Sequence, residues 1–201
     1  MNRRIIFNTP VVFHIFYAIA WLGLRLAGWK LKGRPPNLRK YVIIAYPHTS
    51  NWDFPLGLSA CIIYRIKAYW LGKDSLFRGP AGPLMKWLGG IPIDRSKAHD
   101  LVKKAIETFD QSEEMVIAVA PEGTRSAVKK WKTGFYHIAV GAEVPIVPGY
   151  FDYAKKEAGF LDSFFPSGDI DKDILAIKAV YGTIQGKNAD QSGGTTRNIT
   201  D

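Results

Sequence analysis

His48 and Asp53 are the residues with the most chemistry to offer. They stand in the run Pro47-His48-Thr49-Ser50-Asn51-Trp52-Asp53, separated by four residues. A carboxylate bonded to one imidazole nitrogen fixes the tautomer and supports the cation that forms when the other nitrogen takes a proton. An imidazole with an ordinary pKa near 6.5 suits that task around neutral pH. General-base catalysis of this kind contributes roughly 10²- to 10⁴-fold. In a regular helix, five steps of about 100° put the two side chains on different faces. They meet only if the chain turns between them, with His48 in a loop and Asp53 in the first turn of a helix. Ser50 followed by Asp53 resembles a capping box, while Pro55 marks a helix start a few residues later. Taken alone, the pair is matched by chance often enough that Asp53 as a plain helix cap is the stronger reading. A metal site is weaker still, because no third ligand stands nearby in sequence.

The elements around this run follow from periodicity. Tyr41–Tyr46 is short, β-branched and bounded by Pro47, which predicts a buried strand ending just before His48. Leu56–Tyr64 reads as a helix, Lys67–Leu71 as a strand ended by Gly72, and Gly82–Leu88 as a short helix. Leu101, Val102, Ala105, Ile106 and Phe109 share one helical face. Met115–Val119 is a strand running into Ala120-Pro121-Glu122-Gly123, and Thr133–Gly141 is helical. Val144–Tyr150 looks extended, and its prolines favour a sheet edge or a strand end. Asp169 opens a last helix with Ile174, Ile177, Tyr181 and Ile184 on one side. Strands alternating with helices imply an α/β domain with a central, mostly parallel or mixed sheet flanked by helices. Ligand sites in such sheets gather at strand ends.

The 201 residues suit one domain. Lys and Arg number 27 against 18 Asp and Glu, a net +9 that favours anionic partners: acidic headgroups, phosphorylated substrates, nucleic acid or an acidic carrier protein. Cys61 is the single cysteine, which excludes an internal disulfide and a Cys-x-x-Cys zinc site. Ile5–Leu24 carries no formal charge, yet Asn8, Thr9, Pro10 and His14 interrupt it and the clean run from Pro10 is short for a span. An interfacial helix is the preferred reading, with Arg3, Arg4, Arg25, Lys30 and Lys32 flanking it and Trp21 and Trp29 at headgroup level. A spanning anchor and a cleaved signal rank behind it. The expected division is a membrane-associated helical segment over 1–33, a domain over 34–185 and a polar, disordered tail over 186–201.

Four blocks make the His–Asp pair specific. They are His48-x4-Asp53; Gly90-Ile91-Pro92-Ile93-Asp94-Arg95, preceded by Lys73-Asp74-Ser75-Leu76-Phe77 and Pro80; Pro121-Glu122-Gly123-Thr124-Arg125-Ser126; and Val144-Pro145-Ile146-Val147-Pro148. Their order and spacing resemble the glycerophospholipid acyltransferase family, typified by lysophosphatidic acid acyltransferases. The resemblance covers about Tyr41 to Tyr150, more loosely Asp169–Tyr181. One departure is Ser75, where the family often has an acidic residue, and it bears on acceptor preference.

The resemblance implies His48 as base and Asp53 as its support. It implies Arg95 and Arg125 as the grip on a glycerol phosphate, with Gly90, Glu122, Gly123 and Thr124 shaping the acceptor site. Guanidinium forks suit phosphate, and glycines allow close backbone approach. It further implies an acyl thioester donor, acyl-CoA or acyl-carrier protein, with no cofactor and no metal. The expected partners are a lipid acceptor and a membrane surface, on its cytoplasmic face, and no nucleic acid. Lys129, Lys130 and Lys132 beside Trp131 form a basic run suited to anionic headgroups or a phosphate-bearing donor. His99 and His137 fit no block and read as structural or surface residues. Three rivals remain: another lysolipid or an amino-acid lipid as acceptor, a thioesterase or lipase, and a basic membrane- or nucleic-acid-binding module. No Gly-x-Ser-x-Gly supports the second, and no recognised nucleic-acid motif supports the nucleic-acid form of the third.

Overall fold

The computed structural model describes residues 3–94 and 98–191. Its centre is a seven-stranded sheet in the order β1-β7-β6-β2-β5-β3-β4. The strands are β1 (Lys30–Lys32), β2 (Lys40–Tyr46), β3 (Ala68–Lys73), β4 (Gly90–Ile93), β5 (Met115–Val119), β6 (Ile146–Asp152) and β7 (Glu157–Phe160). The pairs β2–β5, β2–β6, β3–β4 and β3–β5 are parallel, and β7 runs antiparallel to β6. The connecting helices are α1 (Pro10–Leu26), α2 (Asp53–Ile63), α3 (Gly82–Trp87), α4 (Ala98–Asp110), α5 (Gly134–Gly141) and α6 (Ile170–Ala179).

Strand β2 explains the layering. Alternate residues point to opposite faces of a sheet. Val42 and Ile44 join a core with Ala105 and Phe109 of α4, Phe135 and Ile138 of α5, and Ile177 of α6. Tyr41 and Ile43 face the other way, onto Cys61 of α2 and Phe160 of β7. Helix α1 lies outside α2, with Phe13 and Ala20 packed on Ile62. A strand buried on both faces has no polar alternation, as its sequence shows.

Two strand readings need correction. β6 is an interior strand between β2 and β7 rather than an edge. Pro145 precedes it, and the carbonyl of Pro148 accepts from Leu161 on the β7 side. The N–H that Pro148 lacks would lie on that same side. There the ladder is already interrupted, between the bridge Ile146–Phe164 and the first β7 pair Gly149–Phe160. β3 also runs through Gly72 to Lys73, because both residues pair with β4, at Pro92 and Ile93; the Trp70 and Phe77 rings occupy the space a side chain at 72 would need.

Candidate active site

β2 and β5 are parallel neighbours ending at one edge of the sheet, β5 at Val119 opposite Ile44 and β2 two residues further on, at Tyr46. Two loops therefore leave the sheet side by side: Pro47–Trp52 from β2 and Ala120–Arg125 from β5. β6 ends on the other flank of β2, which brings the turn containing Tyr153 to the same edge.

His48 sits in the first loop and Asp53 begins α2, so the chain turns between them. His48 Nδ1 lies 3.1 Å from Asp53 Oδ2. The Asp53 side chain is 1% exposed and that of His48 is 22% exposed. Asp53 Oδ2 also accepts the backbone N–H groups of Thr49 and Ser50, each at 2.8 Å. The capping box expected from Ser50 is not formed: Ser50 Oγ accepts the Trp52 N–H at 3.2 Å, and α2 begins at Asp53. Asp53 Oδ1 accepts from the Tyr153 hydroxyl at 2.7 Å. With Nδ1 turned to the carboxylate, Nε2 is the nitrogen left for a substrate.

Glu122 stands behind the pair. It is 2% exposed, and its Oε2 accepts the His48 backbone N–H at 2.7 Å. Its other oxygen has no hydrogen-bond partner among the described residues. Burial pushes its carboxyl up to about 7; the His48 N–H opposes this shift and the Asp53 charge adds to it.

A cavity of about 890 Å³ opens beside His48. Its inner part runs between α2 and the sheet, lined by Ala45, Leu58, Cys61, Ala118, Phe151 and Phe160. Its rim carries Gly123, Thr124, Arg125 and Lys132. Arg125 and Lys132 are exposed, and among the described residues neither has an ion-pair partner. Gly123 has φ +65°, a conformation that favours glycine, and a Cβ there would come within 2.9 Å of the Lys132 stem. Thr124 Oγ1 accepts the Ser126 N–H at 3.4 Å, a bond that spans Arg125.

The sequence-predicted residues thus divide. His48, Asp53, Gly123, Thr124 and Arg125 come together on one cavity, and Glu122 backs it. Gly90 does not reach it. This glycine opens β4 against Trp70 and Phe77, whose rings lie 2.6 and 2.5 Å from where its Cβ would be, so its small size serves packing. Arg95 lies outside the described residues. Sequence reading missed Tyr153 and Asn188. The Asn188 side-chain amide donates to the Thr49 carbonyl at 2.8 Å, and its backbone N–H donates to Thr49 Oγ1 at 3.2 Å. Asn188, in the expected polar tail, therefore lies against the Pro47–Trp52 loop; residues 192–201 are outside the described set.

Comparison with known proteins agrees with the motif reading. The chain matches the Acyltransferase family over residues 32–152 and belongs to it. Its similarity lies within that family towards 1-acyl-sn-glycerol-3-phosphate acyltransferases. The Salmonella typhimurium protein of that name is 34% identical over 134 residues, covering 61% of this chain and 53% of the relative. The Escherichia coli protein is 33% identical over 133 residues, with the same coverage. The human alpha form is 34% identical over 137 residues, covering 63% of this chain and 47% of the relative. The chain spans about half the length of the curated relatives it matches. The crystal structure of the 1-acyl-sn-glycerophosphate acyltransferase PlsC from Thermotoga maritima shares the fold. Its TM-score is 0.56 at 16% identity, over 85% of this chain and 80% of that one.

Proposed function

We propose that this chain moves a fatty acyl group from an acyl thioester to the hydroxyl of a lysophosphatidic-acid-like glycerol phosphate. The observation that carries the reading is a buried carboxylate on His48 Nδ1, beside a cavity that is apolar within and cationic at its rim. The volume lies in the range of small-molecule cavities, roughly 300–1,000 Å³. The apolar depth under α2 takes the acyl chain. Arg125 and Lys132 hold phosphate at the rim, where an Arg fork and a Lys point charge are complementary.

In this reaction His48 Nε2 takes the proton from the acceptor hydroxyl as its oxygen attacks the thioester carbonyl carbon. Asp53 stabilises the imidazolium. The carbon–sulfur bond breaks, and the thiolate leaves with the proton that the imidazolium returns. No covalent enzyme intermediate is needed, and the donor is acyl-CoA or an acyl-carrier protein. The N–H groups of His48, Thr49 and Ser50 are already committed to Glu122 and Asp53. Donors to the tetrahedral oxyanion therefore come from other groups.

The same reading puts the chain on a membrane surface. Val11, Ile15, Ile19, Leu22 and Leu26 form an exposed stripe along α1, opposite buried Phe13, Ala20 and Leu24. Seventeen residues span about 26 Å, and among the described residues no helix is long and apolar enough to cross a membrane. An in-plane helix with its apolar stripe in the lipid suits this pattern, and Arg25 beside it suits acidic headgroups.

Mass spectrometry of purified protein incubated with an acyl thioester and a panel of lysolipids tests the function. Acylation of phosphate-bearing acceptors is expected. Free fatty acid as the sole product would make the chain a thioesterase, and acylation only of acceptors lacking phosphate would remove the rim's assigned role.

A further inference from the structure

The geometry points to Tyr153 as a positioning residue for the catalytic pair, one that sets where Asp53, and through it the His48 ring, stands. The inference rests on the proposed roles of His48 and Asp53. Asp53 has two oxygens, and they are held differently. Oδ2 meets His48 Nδ1 and two loop amides from its own segment. Oδ1 is held from 100 residues away, by the Tyr153 hydroxyl at 2.7 Å. The Asp53 side chain is 1% exposed, so water does not replace a donor lost at Oδ1. A carboxylate fixed at one oxygen can still rotate about its Cβ–Cγ bond. One fixed at both cannot, and Oδ2 then points at the imidazole.

Tyr153 is itself fixed. Its ring meets Trp29 edge-on, centroids 4.9 Å apart and planes at 88°. Its backbone N–H donates to the Gln185 carbonyl at 2.9 Å. Trp29 stands between α1 and β1, so the brace joins the N-terminal segment to the catalytic carboxylate. Burial and the Asp53 carboxylate raise the phenol well above its usual range, so it stays a donor and does not compete with His48 as a base. The Thr49–Asn188 bonds brace the other end of the same loop.

Tyr153→Phe deletes the hydroxyl and keeps the ring against Trp29. With purified full-length chain, acyl-CoA and lysophosphatidic acid, kcat falls roughly tenfold while both KM values stay within about twofold. In an Asp53→Asn background the same change costs nothing more, because the group it positions is gone. Unchanged kcat in Tyr153→Phe, a loss confined to KM, or equal factors in both backgrounds would overturn the inference. His48→Ala in the same assay separates the two layers. If it is inactive while Tyr153→Phe runs at the wild-type rate, only the role of Tyr153 fails. If it is fully active, the reading of the site fails first. Should Tyr153→Phe not fold, ¹³Cζ-tyrosine NMR of the wild-type and Asp53→Asn chains replaces it. The Tyr153 resonance moves when the carboxylate is neutralised, and an unmoved resonance overturns the inference.

Discussion

Glu122→Gln isolates a cost carried beside the loop that holds His48. Glu122 is buried, one of its oxygens lacks a partner, and its pKa rises from 4.5 to about 7. An acid whose folded pKa exceeds its unfolded one binds more protons folded than unfolded between the two values. Stability from this group is therefore fully present below about pH 4.5 and is lost as pH rises through about 7. The shift corresponds to about 3 kcal/mol, at about 1.4 kcal/mol per unit. Glutamine keeps an acceptor for the His48 N–H and cannot ionise. Its amide donor stands where the protonated acid's hydroxyl stood, so the two chains match in acid and diverge above it. Urea unfolding of both chains from about pH 5 to about pH 8 measures the difference, and titrations common to both cancel. The variant is expected to be about 3 kcal/mol more stable at about pH 8 and less than about 1 kcal/mol more stable at about pH 5. A difference independent of pH would refute the claim that Glu122 holds its proton up to near neutrality.

Other perturbations address the rim, the cavity and the helix. Arg125→Ala raises the KM for a phosphate-bearing acceptor about tenfold and leaves acceptors without phosphate unaffected, as steady-state kinetics on matched acceptors will show. Ala118→Phe puts a ring into the space under α2, so donor preference shifts to shorter acyl chains. The expected penalty in kcat/KM is about fourfold per excluded methylene, read from a donor-length series. Replacing Ile15 and Ile19 by Asp leaves the fold intact, since both are exposed, and weakens sedimentation with vesicles of acidic phospholipid at least about tenfold. Unchanged vesicle binding would remove α1 as the contact surface.

Local signals carried much of the architecture. β2 and β5 are short apolar runs ending in proline-bearing loops, and the loop that joins His48 to Asp53 follows from five helical steps failing to align them. Ser50 and Pro55 left the start of α2 open by a few residues, and the fold puts it at Asp53. What stayed hidden depends on distant parts of the chain. Nothing near Tyr153 marks it as a partner of Asp53, because the bond exists only once β6 lies beside β2. Asn188 sits in a segment whose polarity reads as tail, and only the fold brings it to Thr49. Gly90 fits a motif, but its neighbours Trp70 and Phe77 come from other elements and make it a packing glycine. The interior place of β6 escaped the proline rule because one missing N–H fell in a gap of the ladder.

The central claim is that His48, oriented by Asp53, removes the acceptor's proton. Its most direct test is the steady-state rate of acyl transfer by His48→Ala, followed as acylated lipid by mass spectrometry beside the wild-type chain. The ring is partly exposed and Asp53 keeps three of its hydrogen-bond donors, so the variant should fold. A fall in kcat of roughly 10²- to 10⁴-fold is predicted. Transfer at the wild-type rate by the folded variant would contradict the mechanism outright.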